Sequence, residues 1–239
     1  MKTCALAGCV LAGGRSSRMG RDKALLPLAG VPLVERAVSR LRSLTAEVYI
    51  LGNRPELLRF APLLPDLRQD CGPLGGMEAA LSGTSCDWVL TLPVDMPFLP
   101  AALLQHWARG VLEQKTARAA FFVVDSVPQP ALCLLHREIL PFLSGAAAQG
   151  RFKLYPVLEE AAQALADRQG LAVESVLRCT PWNQAEALAL FERLRAASGE
   201  EGGLELTAAQ RLASHRWFEN LNTPEQFAEA RTHADALGD

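Results

Sequence analysis

The chain has 239 residues, 49% hydrophobic and 21% charged, with a formal net charge of −2. That length suits one large α/β domain with a substantial core. The charge balance offers no basic field for nucleic acid or an anionic membrane. In chain order, residues 4–11 form a short apolar run ended by Gly13-Gly14, which predicts a buried strand. Leu33, Val34, Ala37, Val38 and Leu41 recur at helical spacing and predict a helix over 32–44, with Pro32 in its first turn. A second strand is expected at 47–51, a short helix at 55–60, and a glycine-rich loop at 72–76 ahead of a helix at 77–81. A third strand at 87–92 is stopped by Pro93, and a helix at 100–115 leads to a fourth strand at Ala119–Val124. Such alternation implies a parallel sheet with helices on both faces.

The pattern then changes. Only a short Pro128–Pro130 link separates Ala119–Val124 from the apolar run 131–135, too little for a crossover helix. An antiparallel neighbour follows, so the sheet should be mixed. Helices are expected at Leu154–Gln169 and 184–196, and a mobile loop at 197–203. Near the end, Thr223 can cap a helix that Pro224 begins and Gln226 completes as a capping box, which puts Asn220 and Asn222 just ahead of a helix N-terminus.

Three clusters can carry chemistry. The first is the loop Leu11-Ala12-Gly13-Gly14-Arg15-Ser16-Ser17-Arg18-Met19-Gly20-Arg21-Asp22-Lys23. Its glycines let backbone N–H groups approach phosphate oxygens, and its cations can offset much of a triphosphate's charge. A solvated basic turn is the alternative. The P-loop and G-x-G-x-x-G spacings are both absent. The second is Leu92-Pro93-Val94-Asp95-Met96-Pro97, where a buried strand delivers one carboxylate between prolines. That suits a magnesium ion sharing its shell with substrate phosphates, or else a turn-forming Asp. The third is Asp70 with Gly72–Met77: a carboxylate can accept the adjacent N–H donors of guanine, although an Asx-type turn would look the same.

The remaining candidates have structural readings. His106 and His136 have no metal-spaced partners and are expected at the surface, and the four tryptophans are expected to be packing residues. Cys4, Cys9, Cys71, Cys86, Cys133 and Cys179 form no C-x-x-C pair and lie mostly in apolar runs, as buried free thiols do. No G-x-S-x-G elbow or Ser/His/Asp set supports a covalent hydrolase. The apolar run 4–12 is too short to span a bilayer and enters a polar loop, so a cytoplasmic protein is expected.

Together, Leu11-Ala12-Gly13-Gly14, Arg18-Met19-Gly20, Asp22-Lys23, Gly72-Pro73-Leu74-Gly75-Gly76-Met77, Leu92–Pro97 and Asn220-Leu221-Asn222-Thr223-Pro224 resemble the molybdenum cofactor guanylyltransferase family, and more broadly the sugar-nucleotide-type nucleotidyltransferases. The resemblance covers roughly residues 6–155 and 217–230. It implies a Rossmann-like three-layer α/β sandwich with a mostly parallel, mixed sheet, of the nucleotide-diphospho-sugar transferase type. It further implies one nucleotidyltransferase domain over 1–239, with a helical elaboration at 157–215.

By resemblance, Leu11, Ala12, Gly13 and Gly14 would contact the nucleotide, Arg18 and Lys23 its phosphates, and Asp70 the guanine. Asp95 would hold Mg2+, and Asn220 and Asn222 would close the site. Asn53 stands two residues beyond Leu51, where the family often has an Asn, and is the candidate replacement. Arg151 and Lys153 are candidate contacts for the acceptor phosphate. The implied reaction joins GMP from GTP to molybdopterin and releases pyrophosphate. Protein partners would be other cofactor-biosynthesis proteins or molybdoenzyme chaperones. The alternatives are a CTP-dependent or sugar-phosphate nucleotidyltransferase, and a non-catalytic delivery module that binds GTP and cofactor. Gly13 in place of the alanine of the related cytidylyltransferases leaves more room and favours a purine.

Overall fold

A computed structural model describes residues 5–12, 22–199 and 203–238. Its strands are β1 (Leu6–Leu11), β2 (Pro27–Leu28), β3 (Val31–Pro32), β4 (Val48–Leu51), β5 (Leu63–Leu64), β6 (Trp88–Pro93), β7 (Ala119–Val124), β8 (Val127–His136) and β9 (Leu177–Trp182). The helices are α1 (Leu33–Arg42), α2 (Gly72–Gly83), α3 (Ala101–Leu112), α4 (Leu140–Ala148), α5 (Leu154–Gln169), α6 (Val173–Val176), α7 (Ala187–Ala197), α8 (Ala208–Leu212) and α9 (Pro224–Arg231).

Seven strands form one sheet in the order β5-β4-β1-β6-β8-β7-β9, while β2 and β3 make a small separate ribbon. The pairs β1–β4, β1–β6, β4–β5 and β7–β9 are parallel, and β8 is antiparallel to both β6 and β7. The expected reversal after Ala119–Val124 is therefore real. A tight turn makes it, with Asp125 and Ser126 at φ +46° and +68°, the left-handed geometry that hairpin turns demand.

Alternation along the strands divides the core into two layers. Ala7, Cys9, Phe121 and Cys133 pack with α2, α4 and α5 on one face. Val10, Leu92, Phe122 and Leu134 pack with α1, α3, α7 and the C-terminal segment on the other. The tryptophans are indeed packing residues: Trp107, Trp182 and Trp217 join Phe122, Phe191 and Phe218 in one aromatic cluster.

Several expectations need correction. The glycine-rich stretch 72–76 is the first turn and a half of α2 rather than a loop before it, with Pro73 in the first turn. Helix propensity argues against glycines there, but packing requires them. A Cβ on Gly76 would stand 3.2 Å from Leu11 Cδ2, and one on Gly75 would stand 2.8 Å from Cys71 Cβ. The segment 157–215 is not wholly helical, because β9 extends the sheet from within it. His106 is buried rather than exposed, with Nδ1 2.9 Å from Ser198 Oγ, and His136 is half-buried. Cys9, Cys71 and Cys133 are buried free thiols, Cys179 is an exposed one, and Cys86 is disulfide-bonded, contrary to the free-thiol expectation. Burial pushes the Cys9 thiol up and that of Cys133 to about 12, so neither is a nucleophile at neutral pH.

Candidate active site

The chain runs outward from β1 to β4 and β5, then returns to place β6 on the other side of β1. Ligands in open α/β sheets bind outside the carboxyl ends of strands at such a reversal. Ala12 leaves β1 there and Asp95 leaves β6. The Val94 N–H donates to the Leu11 carbonyl at 3.1 Å and ties the two exits together.

Three segments distant in sequence meet at this crevice. Lys23 Nζ lies 2.8 Å from Asp95 Oδ2 and 2.7 Å from Asn222 Oδ1. Lys23 opens a short 3₁₀ turn (Lys23–Leu25) whose cap is Asp22, with Oδ1 accepting from the Ala24 N–H at 3.0 Å. Asn222 is delivered by the capping box expected from sequence: Gln226 Oε1 accepts the N–H groups of Asn222 and Thr223 at 2.6 and 3.0 Å. The Leu221 N–H donates to the Asp95 carbonyl at 2.9 Å and seats the segment on β6. Asn220 is half-buried beside it.

Two buried arginines brace this arrangement. Arg40 on α1 donates to the carbonyls of Pro97 at 2.9 Å and Met96 at 3.4 Å, holding the turn after Asp95. Arg216 pairs with Glu219 and Glu229 and lies 5.1 Å over the Phe98 ring. Arg40 had a signal in the sequence: it falls seven residues after Leu33, on the apolar stripe of its helix, where a cation must find buried acceptors.

The second half of the crevice is built by β4 and β5. Asn53 Oδ1 accepts the Asp66 N–H at 3.1 Å and bridges the two strand ends. Asp66, half-buried just past β5, was not singled out from sequence, and burial raises its carboxyl above the usual range. Asp70 is exposed in a left-handed conformation, φ +58°, immediately before α2. Its turn is braced by Arg68, whose Nε lies 3.3 Å from the buried carboxylate of Glu78.

Arg151 and Lys153 are not part of the Lys23 cluster. Arg151 is engaged with Gln149 and Glu160 in the exposed α4–α5 link, and Lys153 starts α5. Gly13, Gly14 and Arg18 lie outside the described residues. A separate concavity of about 370 Å³ opens beside the ends of β7 and β9, lined by Asp125, Ser126, Trp182, Asn183 and Glu186 among others. Its carboxylates make it a poor place for phosphate.

Among the described residues no group of three or more His, Cys, Asp or Glu could cage a metal. What the site offers is one carboxylate and one amide oxygen already holding an ammonium ion. That donor set accepts a cation and fits a magnesium ion whose other ligands are waters and substrate phosphates.

A three-layer sandwich with this crevice at its strand reversal has the architecture of a ligand-binding α/β protein, and comparisons with known proteins give the class. A profile described as the MobA-like NTP transferase domain matches residues 8–214, and the chain belongs to that family. It is 38% identical over 164 residues to a molybdenum cofactor guanylyltransferase of Serratia proteamaculans, covering 65% of this chain and 80% of that one. It is 42% identical over 150 residues to the enzyme of the same name from Xanthomonas euvesicatoria, covering 60% and 74%. Among solved structures, molybdopterin-guanine dinucleotide biosynthesis protein A from Archaeoglobus fulgidus superposes with a TM-score of 0.63 at 21% identity over 95% of this chain and 97% of that one. A 2-C-methyl-D-erythritol 4-phosphate cytidylyltransferase from Thermus thermophilus gives 0.56 at 16%, over 96% and 98%. These two likenesses bear on the fold. No helix among the described residues is long and apolar enough to cross a membrane.

Proposed function

We propose that the chain transfers GMP from GTP to molybdopterin, forming the guanine dinucleotide and pyrophosphate. The observation that carries this reading is the convergence of Lys23, Asp95 and Asn222 at the strand reversal, in a chain whose relatives are named guanylyltransferases. A terminal phosphate oxygen of the acceptor attacks the α-phosphorus. The bond to the bridging oxygen breaks, and that oxygen leaves with the β- and γ-phosphates. The phosphate nucleophile is already ionised, so the demands on the protein are in-line positioning and charge compensation. Lys23 compensates phosphate charge from the β1 side of the crevice. Asn222 orients groups at its mouth. Arg18 joins Lys23 on the phosphates, and Ala12 with Gly13 and Gly14 backs the nucleotide. Asp70 takes the base, and Asn53 contacts the nucleotide. Asp95 would hold Mg2+, which neutralises charge on the α-phosphate when bound.

The same reading includes a cytoplasmic location and handover of product to other cofactor-biosynthesis proteins or molybdoenzyme chaperones. The test is incubation with GTP, magnesium and molybdopterin, followed by mass analysis. The dinucleotide and pyrophosphate are expected. GTP binding without pyrophosphate release would make the chain a delivery module instead. In a thermal-shift panel of the four ribonucleotides, stabilisation by CTP alone would overturn the choice of base.

A further inference from the structure

Arg54 stands two residues beyond Gly52 at the exit of β4. Its guanidinium makes two bonds to chain segments on either side of the phosphate loop. Nη2 donates to the Ala12 carbonyl at 2.6 Å, and Nη1 pairs with Asp22 Oδ1. Ala12 is the last described residue before segment 13–21, and Asp22 is the first after it. The same Asp22 oxygen caps the turn that presents Lys23. Its other oxygen, Oδ2, is buried without a hydrogen-bond partner among the described residues, and Arg54 is the cation paired with this carboxylate there.

We infer that Arg54 is a positioning residue for nucleotide transfer: one planar fork registers the exit of β1 against the Lys23 turn and so aligns the Lys23 ammonium with Asp95. This rests on the function proposed above. Arg54 is not offered to the triphosphate as a free cation, because Asp22 neutralises it and the Ala12 carbonyl takes its second arm. A guanidinium suits this task and an ammonium does not, since only a rigid fork fixes two acceptors at one spacing. The role is geometric, so the loss falls on turnover rather than on nucleotide affinity. Misplacement of a reacting group by about 1 Å costs on the order of a hundredfold.

The experiment compares wild type, Arg54→Met, Arg54→Lys, Asp22→Asn and the Arg54→Met/Asp22→Asn double variant. Pyrophosphate release is measured with GTP, magnesium and molybdopterin, and GTP dissociation constants by titration. In Arg54→Met, kcat should fall roughly 10- to 100-fold, with the GTP dissociation constant within about threefold of wild type, and Arg54→Lys should not restore it. The double variant should be no slower than the slower single variant, because both changes break one unit. Hydrogen exchange of the backbone at residues 22–26, read by mass spectrometry, should quicken in Arg54→Met whether or not the protein turns over. Wild-type inactivity would sink the proposed function while leaving this exchange readout to decide the role of Arg54. Unchanged exchange, a kcat within twofold of wild type, or losses that multiply in the double variant would each overturn the inference.

Discussion

Replacing Lys23 by Met removes the cation at the centre of the crevice while keeping most of the side-chain volume. The pair with Asp95 is partly hydrated, the two side chains being 15% and 23% exposed. Partly hydrated pairs of this kind contribute about 0.2–1 kcal/mol. Asp95 can recruit water when the ammonium is gone, so orphaning it adds little. At roughly 2–4 °C per kcal/mol for a chain of this size, Tm should fall by no more than about 4 °C. Transition-state charge compensation is a different matter: losing one preorganised donor typically costs 10²–10³-fold in turnover, about 2.7–4 kcal/mol. The two magnitudes separate a structural from a functional ammonium. The assay is pyrophosphate release alongside a thermal melt. A variant with turnover within threefold of wild type would refute the placement of Lys23 on the transferring phosphates. A Tm drop above about 10 °C would show that its main role is holding the C-terminal segment.

Gly75→Ala forces a Cβ to within 2.8 Å of Cys71 Cβ. Overpacking at about 1–3 kcal/mol should outweigh the roughly 1 kcal/mol gained in helix propensity, lowering the urea midpoint and weakening GTP binding through the displaced Asp70 turn. Gln226→Met deletes the acceptor for the Asn222 and Thr223 N–H groups. It should cost about 1 kcal/mol, and turnover should drop roughly tenfold if loosening Asn222 costs less than a full 1 Å misplacement, with GTP affinity held. His136 is held below its usual pKa of 6.5, first by burial and then by Arg118, with Arg137 adding to this and Glu138 and Asp87 opposing it. The fold therefore prefers the neutral ring, the unfolded chain binds the proton more readily, and the stability involved is present above pH 6.5 and lost as pH falls through the lower folded value. Urea midpoints should decline between pH 7.5 and 5.5 in wild type, and less steeply in His136→Asn; parallel declines would count against this origin.

Local signals placed much of this protein. The strand Ala119–Val124, the helix Leu154–Gln169 and the Thr223–Gln226 capping box follow from periodicity and hydrogen-bonding chemistry within a few residues, and the structure forms all three. The reversal was legible because no crossover helix fits so short a link, but its turn lies at Asp125–Ser126, and the expected link Pro128–Pro130 is instead part of β8. The glycines of α2 were misjudged because their cause is a neighbouring strand. Gly76 must clear Leu11 and Leu51, residues far away in the chain, and no propensity scale contains that contact. β9 was missed for a similar reason. Its exposed Arg178 and Cys179 and its Pro181 suit an edge position and break the apolar pattern that marks a central strand. At the site, Lys23, Asp95 and Asn222 were each recognisable alone, by residue type and by their position at element ends. Their convergence needed α1, β6 and the C-terminal turn to pack, with Arg40 and Arg216 drawn inside. Arg54 belongs wholly to that second category: between Asn53 and Pro55 it is an unremarkable cation, and only the strand order that sets β4 beside β1 brings its fork to Ala12 and Asp22.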